Sequence, residues 1–259
     1  VVFQHHLGSL LDKTHRIVAI AKQLADAIGA DEATAVRAAA LSKCDLVSEM
    51  VLEFPELQGI AGAEYARHDD EPAGVAEAIE YHYYPRFAGD ELPPSPEATT
   101  VALADRLDTL VGIFGIGEPP TGSKDPFALR RASLAVIRML INLEKPLSLP
   151  KLLQAVVEQH TAELSPDTPD VVSHYITERL GNWYDDDGIN ISVVRAALAA
   201  GATDLFDIDL RVRALNAFAK TETAEHLAAA NKRVANILAK ADNLDGTPAD
   251  PNLFVHEAE

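Results

Sequence analysis

The chain has 259 residues, enough for one or two domains at about 150 residues each. Its 47% hydrophobic and 24% charged content is that of a globular protein, and 14 Gly with 15 Pro exclude a collagen-like or low-complexity chain. The single cysteine, Cys44, excludes an internal disulfide framework and fits a reducing, cytoplasmic setting; 22 basic against 40 acidic residues, net −18, exclude a bare polyelectrolyte binder of nucleic acid.

RNA contact must therefore rest on local basic patches or on a partner that supplies positive field. No apolar run approaches the roughly 18 residues of a membrane span, so no membrane partner is expected. The chain opens on Val1 rather than Met, with apolar patterning from the start, and reads as a piece of something longer.

The first helix is predicted over 13–29, with Ile17, Ile20, Leu24, Ala27 and Ile28 on one stripe and Gly29 as its stop. Asp31 is placed as the N-cap of an Ala-rich helix over 32–46. Residues 47–68, with Pro55 and Gly59, read as short helical pieces and turns. A helix over 73–84 ends at Pro85, and 85–97 is a proline-rich loop. Helices follow over 98–114 and 127–143, separated by a breaker-rich loop at 117–126. Beyond 146–150, helices are expected over 151–164, 170–185, 190–200, 204–219 and 221–241. No strand pattern is evident, and the expected class is all-α. The predicted organisation is a helical domain at 1–150, a second at 151–241 and a poorly structured end at 242–259.

The order R-I-V-A-I-A-K-Q-L-A, A-A-A-L-S-K-C-D, I-E-Y-H, A-L-A-D-R-L-D resembles the HD domain, whose members are mostly metal-dependent phosphohydrolases. That resemblance implies one His from the first helix, a His-Asp pair after the second and an Asp from a later helix, binding a divalent metal that activates water. This sequence departs from it: Lys13 stands at the first His, Lys43 and Cys44 at the His-Asp pair, and Asp105 alone survives, with His82 at an accessory position. An ammonium has three donors and no lone pair, so it cannot ligate a metal. The expectation is that the Lys13 and Lys43 ammonium groups take the metal's place and pair with Asp105 or Asp45.

The literal His68-Asp69 dipeptide could join Asp105 in a shifted site, or be a solvated acidic loop. His5, His6 and His15 read as helix-face or chain-end residues. The G-I-G-E-P-P-T-G-S-K run lacks phosphate-loop spacing and a preceding strand. Cys44 reads as helix packing, not as a nucleophile.

Longer segments are more specific. V-V-F-Q-H-H-L-G-S-L-L-D-K-T-H-R-I at 1–17, E-F-P-E-L-Q-G at 53–59, P-T-G-S-K-D-P-F-A-L-R-R at 120–131 and L-A-A-A-N-K-R-V-A-N-I-L-A-K at 227–240 resemble the β subunit of bacterial heterotetrameric glycyl-tRNA synthetase. The resemblance implies a degenerate HD domain followed by a helical anticodon-binding domain, together the C-terminal part of that subunit. It implies tRNA(Gly) and the α subunit as partners, no DNA, no cofactor here, and ATP and Mg used by the α subunit. The residues support a local reading. Six basic against two acidic residues give +4 over 211–240, and the same balance holds over 124–151.

Candidate RNA contacts are Arg130, Arg131, Trp183, Arg211, Arg213, Asn231, Lys232 and Arg233, with Tyr184 and Phe218 available for stacking. Against this, Trp183 could be a core aromatic, one of Arg130 and Arg131 could pair with Asp125 or Asp108, and Asn231-Lys232-Arg233 could be a solvated face. The rival functions are a working HD phosphohydrolase and an architectural module docking the α subunit.

Overall fold

A computed structural model describes residues 1–240; the expected ragged end at 242–259 lies outside them. The regular elements of the described residues are all helices apart from one small hairpin, so the all-α class holds. The described residues fall into two units, Val1–Val212 and a second that begins at Arg213. The break in packing lies after Val212. Helices C-terminal to 150 pack on the same central helix as those before it.

The hairpin corrects the expectation of no strands. β1 (Val2–Gln4) pairs antiparallel with β2 (Gly8–Ser9), too short to show alternation. The Gln4 amide oxygen closes the turn by accepting from the His6 and Leu7 N–H groups. α1 (Leu10–Ile28) starts three residues before the predicted position, because Ser9 and Asp12 form a reciprocal capping box. Its buried face is Ile17, Ile20, Ala21, Leu24, Ala25 and Ile28; Ala27, expected on that stripe, is exposed.

α2 (Glu32–Leu41) is capped by Asp31 and stops five residues short of the predicted end. The Ser42 hydroxyl donates to the Ala39 carbonyl, and the chain leaves the helix into a 3-10 turn, Cys44–Val47. Cys44 is exposed on that turn and does not pack in a helix. α3 (Glu49–Glu53), a second 3-10 turn (Pro55–Leu57), α4 (Ile60–His68) and α5 (Ala73–Tyr81) follow.

α6 (Pro96–Gly115) is the axis of the first unit. Leu103, Leu107, Leu110 and Ile113 are fully buried, and α1, α2, α5, α7 (Leu129–Asn142), α8 (Leu149–Val157) and α9 (Thr168–Thr177) pack around it. At Gly112 the absence of a side chain admits Leu7 and His160, which a Cβ would meet at 2.8 and 2.9 Å. A helix buried on all sides can carry charge only where neighbouring elements supply partners. α6 carries Asp105, Arg106 and Asp108.

The helix predicted over 170–185 is two. Between α9 and α10 (Leu180–Asp186) the Arg179 N–H turns to the Ile176 carbonyl, three residues back. Its guanidinium lies over the Tyr175 ring and takes the Tyr175 carbonyl, breaking the ladder there. α11 (Ile191–Ala199), capped by Asn190, and α12 (Leu205–Phe218) complete the first unit, which ends within α12. In the second unit, α13 (Glu222–Leu238) buries none of its residues among those described.

Candidate functional site

Three elements converge on the acidic face of α6 that carries Asp105 and Asp108. α1 contributes Lys13 and Arg16, the turn after α2 contributes Lys43, and the end of α5 contributes His82. Lys13 Nζ lies 2.8 Å from one Asp105 oxygen and Lys43 Nζ 2.7 Å from the other, so both oxygens of that carboxylate hold an ammonium group. Lys43 also donates to His82 Nε2 at 2.9 Å and sits 4.1 Å over the Tyr83 ring centroid. Because a lysine only donates, Nε2 is the acceptor. The imidazole is therefore the neutral Nδ1–H tautomer, donating to the Ile79 carbonyl at 2.6 Å.

Lys13 reaches on to Asp108 Oδ2 at 2.9 Å and the Thr109 hydroxyl at 2.7 Å. Arg16 clamps Asp108 through Nε at 2.6 Å and Nη2 at 3.2 Å, and donates to the Leu7 carbonyl. Arg106 spends its guanidinium on the carbonyls of His82, Tyr83, Pro85 and its own turn.

The electrostatics follow from burial and sign. For Asp105, burial is the largest influence and pushes its affinity for a proton up. The ammonium groups of Lys13 and Lys43 outweigh it and hold the carboxyl well below its ordinary range. Asp108 is lowered by the same balance, with Lys13 and Arg16 prevailing over burial. Burial lowers Lys43, with Asp105 opposing, and brings Arg106 down to about 10. Burial and then Lys43 push His82 well below its usual value.

The donor set does not fit a divalent metal. The positions that should supply lone pairs supply ammonium groups, and among the described residues no three His, Cys, Asp or Glu side chains group around a common point. His68 and Asp69 are exposed at the end of α4 and do not join Asp105 in such a group.

Asp45 takes a different part from the expected lysine pairing. One of its oxygens accepts the Gly59 N–H at 2.6 Å and the Gly62 N–H at 3.2 Å, fixing the start of α4. Gly59 has φ 85°, and a Cβ there would meet the Tyr83 ring at 3.1 Å and the Glu80 carbonyl at 3.2 Å. Gly59→Ala is expected to cost about 1–3 kcal/mol, read as a shift in the urea midpoint without a change in slope.

Arg16 and Thr109 were not singled out from the sequence, and Asp108 only as a possible partner of Arg130 or Arg131. The signal was present: Lys13 with Arg16 and Asp105 with Asp108 are each three apart, on one face of their helix. Asp108 is thereby unavailable to Arg130 or Arg131.

The candidate RNA contacts are spread. Arg130 donates to the Gly122 carbonyl at 2.7 Å and lies 4.0 Å from Asp125, while Arg131 is exposed. Trp183 is half-buried beside Tyr184. Tyr184 is fully buried and donates to Asp209 at 2.7 Å, which corrects its expected availability for stacking. Arg211 is exposed and paired with Asp207 at 2.8 Å; Arg213 is also exposed. Phe218 is exposed, as are Asn231, Lys232 and Arg233 on α13. No helix of the described residues is long and apolar enough to cross a membrane.

Comparison with known proteins bears on the same residues. A family model described as glycyl-tRNA synthetase beta subunit matches 1–199. Over its full length the chain is 50% identical to the glycine–tRNA ligase beta subunit of Chromohalobacter salexigens and 49% identical to that of Actinobacillus pleuropneumoniae. Over 93% of its length it is 51% identical to that of Haemophilus influenzae. The chain spans 38% of the length of the first two and 35% of the third. The helices that bring Lys13, Lys43, His82 and Asp105 together all lie inside the matched region, and the chain belongs to the glycyl-tRNA synthetase beta subunit family.

Proposed function

We propose that this chain is the tRNA-binding portion of a glycine–tRNA ligase β subunit and corresponds to its C-terminal part. In this reading the sequence of 1–150 corresponds to an HD-like portion without its metal, and that of 151–241 to an anticodon-binding-like portion. It supports glycylation of tRNA(Gly) in the cytoplasm by an α subunit that uses ATP and Mg, and it catalyses nothing itself. The observation that carries this reading, beside the family, is that Asn231, Lys232 and Arg233 stand exposed on α13 within a chain of net charge −18. A local basic surface on an acidic body suits a reader of phosphate and shape with little non-specific affinity. Against hydrolysis, both oxygens of Asp105 are held by lysines.

The test is tRNA(Gly) binding across a salt series with the chain and its Lys232→Glu/Arg233→Glu variant. The variant is expected to bind more weakly and to lose about 0.7–0.9 of log–log salt slope per phosphate contact removed. Binding indifferent to salt and to both reversals would overturn the RNA role and favour an architectural module. Manganese-dependent phosphodiesterase activity abolished by Asp105→Ala would restore the hydrolase.

A further inference from the structure

Next to the Asp105 cluster, and within the first unit, lies a cavity of about 600 Å³. Its volume is in the range of small-molecule sites, roughly 300–1,000 Å³. Asp105 forms part of its floor. Tyr83 and Phe87, from the segment after α5, and Phe127, just before α7, give it aromatic walls, and Arg131 stands at its rim. Phe87 is 58% exposed, an aromatic ring left facing solvent at a cavity edge.

Charge decides the kind of ligand. Behind the floor, the carboxylates of Asp105 and Asp108 face Lys13, Arg16 and Lys43, and Arg106 adds a further positive charge, so the buried layer is net cationic. Arg131 makes only a 3.5 Å contact to the Arg86 carbonyl, and no carboxylate lies within ion-pair distance of it among the described residues. Glu56 and Glu80 also line the cavity, Glu80 being paired with Arg67; both disfavour an anion beside them, which leaves Arg131 for a phosphate. Burial, reinforced by Asp105 and Asp45, pushes the Tyr83 phenol up, so it stays an O–H donor. Aromatic walls, a cationic floor and one uncommitted guanidinium suit a planar ring joined to a phosphate.

We propose that this cavity binds a single nucleotide unit, its base on the Phe87 and Phe127 wall and its phosphate on Arg131. The unit is either a free nucleoside monophosphate or one nucleotide of a bound RNA strand; the second source rests on the tRNA reading above.

The experiment is calorimetric titration of the whole chain with each common ribonucleoside monophosphate and with inorganic phosphate. It is repeated on Arg131→Glu and Phe87→Ala, both at exposed side chains, with melting curves to confirm folding. At least one monophosphate is expected to saturate, with affinity falling about tenfold or more in Arg131→Glu and about threefold or more in Phe87→Ala, while phosphate alone binds more weakly. Displacement by tRNA(Gly) assigns the unit to RNA; undisturbed binding assigns it to free nucleotide.

No saturable binding at millimolar concentration, or equal binding by both variants, overturns the proposal. If the chain then still binds tRNA(Gly) with its salt slope intact, the tRNA reading stands without it. Nucleotide binding by a chain that does not bind tRNA(Gly) leaves the cavity assigned and removes that reading.

Discussion

Asp105→Ala is expected to lower the unfolding free energy by about 3–5 kcal/mol at neutral pH, measured by urea denaturation. The carboxylate is buried with an ammonium on each oxygen. Removing it strands charge rather than merely deleting a contact. Lys13 keeps Asp108 and Thr109, so its loss is partial. Lys43 keeps only the His82 nitrogen and the Tyr83 ring, both uncharged partners. Burial already lowers Lys43, and without Asp105 it falls further. A lysine whose folded pKa lies below its unfolded value makes the unfolded state the better proton binder between the two. Stability of the variant therefore rises with pH through that window, and its deficit shrinks toward about pH 10. Lys43→Met/Asp105→Ala removes both charges and is expected to recover at least about 1 kcal/mol over Asp105→Ala alone. A deficit below about 1 kcal/mol, or no recovery in the double variant, would mean the lysines find water or other anions when Asp105 is gone.

The legible parts of the fold were those written in local chemistry. Asp31 and Asn190 cap α2 and α11 as their side chains require, and Gly29 ends α1 at φ 80°. Lys13 and Lys43 could be aligned with Asp105 because the order of helices resembles a known domain. What was not legible depends on tertiary partners. Nothing local says that Ser42 ends a helix whose Ala-rich sequence would continue, yet that break is what carries Lys43 to Asp105 and Asp45 to α4. Trp183 and Tyr184 are adjacent aromatics of equal promise for stacking. Packing settles the matter by burying Tyr184 against Asp209. The packing of α8 and α9 on α6 likewise depends on buried faces that meet only in the folded chain.

Acidification from pH 7 toward pH 4 is expected to destabilise the chain by several kcal/mol before its ion-paired carboxylates protonate. Two buried histidines set the sign. His160 sits 3.3 Å from Asp108 with Arg16 and Lys13 also near; burial dominates and its pKa falls to about 4. His82 faces Lys43, Asp105, Arg106 and the Ile79 carbonyl, and is lowered well below its usual value. Each is neutral when folded and takes a proton near pH 6.5 when unfolded, so the unfolded state gains protons first and stability falls with pH. Each contributes about 1.4 kcal/mol per pH unit between its two pKa values, which for His160 amounts to about 3 kcal/mol by pH 4. Asp105 and Asp108 are depressed, so their contribution is intact above about pH 4 and is lost only below it. Relief of self-repulsion in a chain of charge −18 acts the other way, but ordinary carboxylates take up protons mainly below about pH 5, under the pH 7 to 5 range that is compared. Urea midpoints at pH 7, 6 and 5 are therefore expected to fall steadily, and His160→Gln to reduce that slope by about one proton. A flat profile over that range would show that the two imidazoles are reached by water and charge without cost.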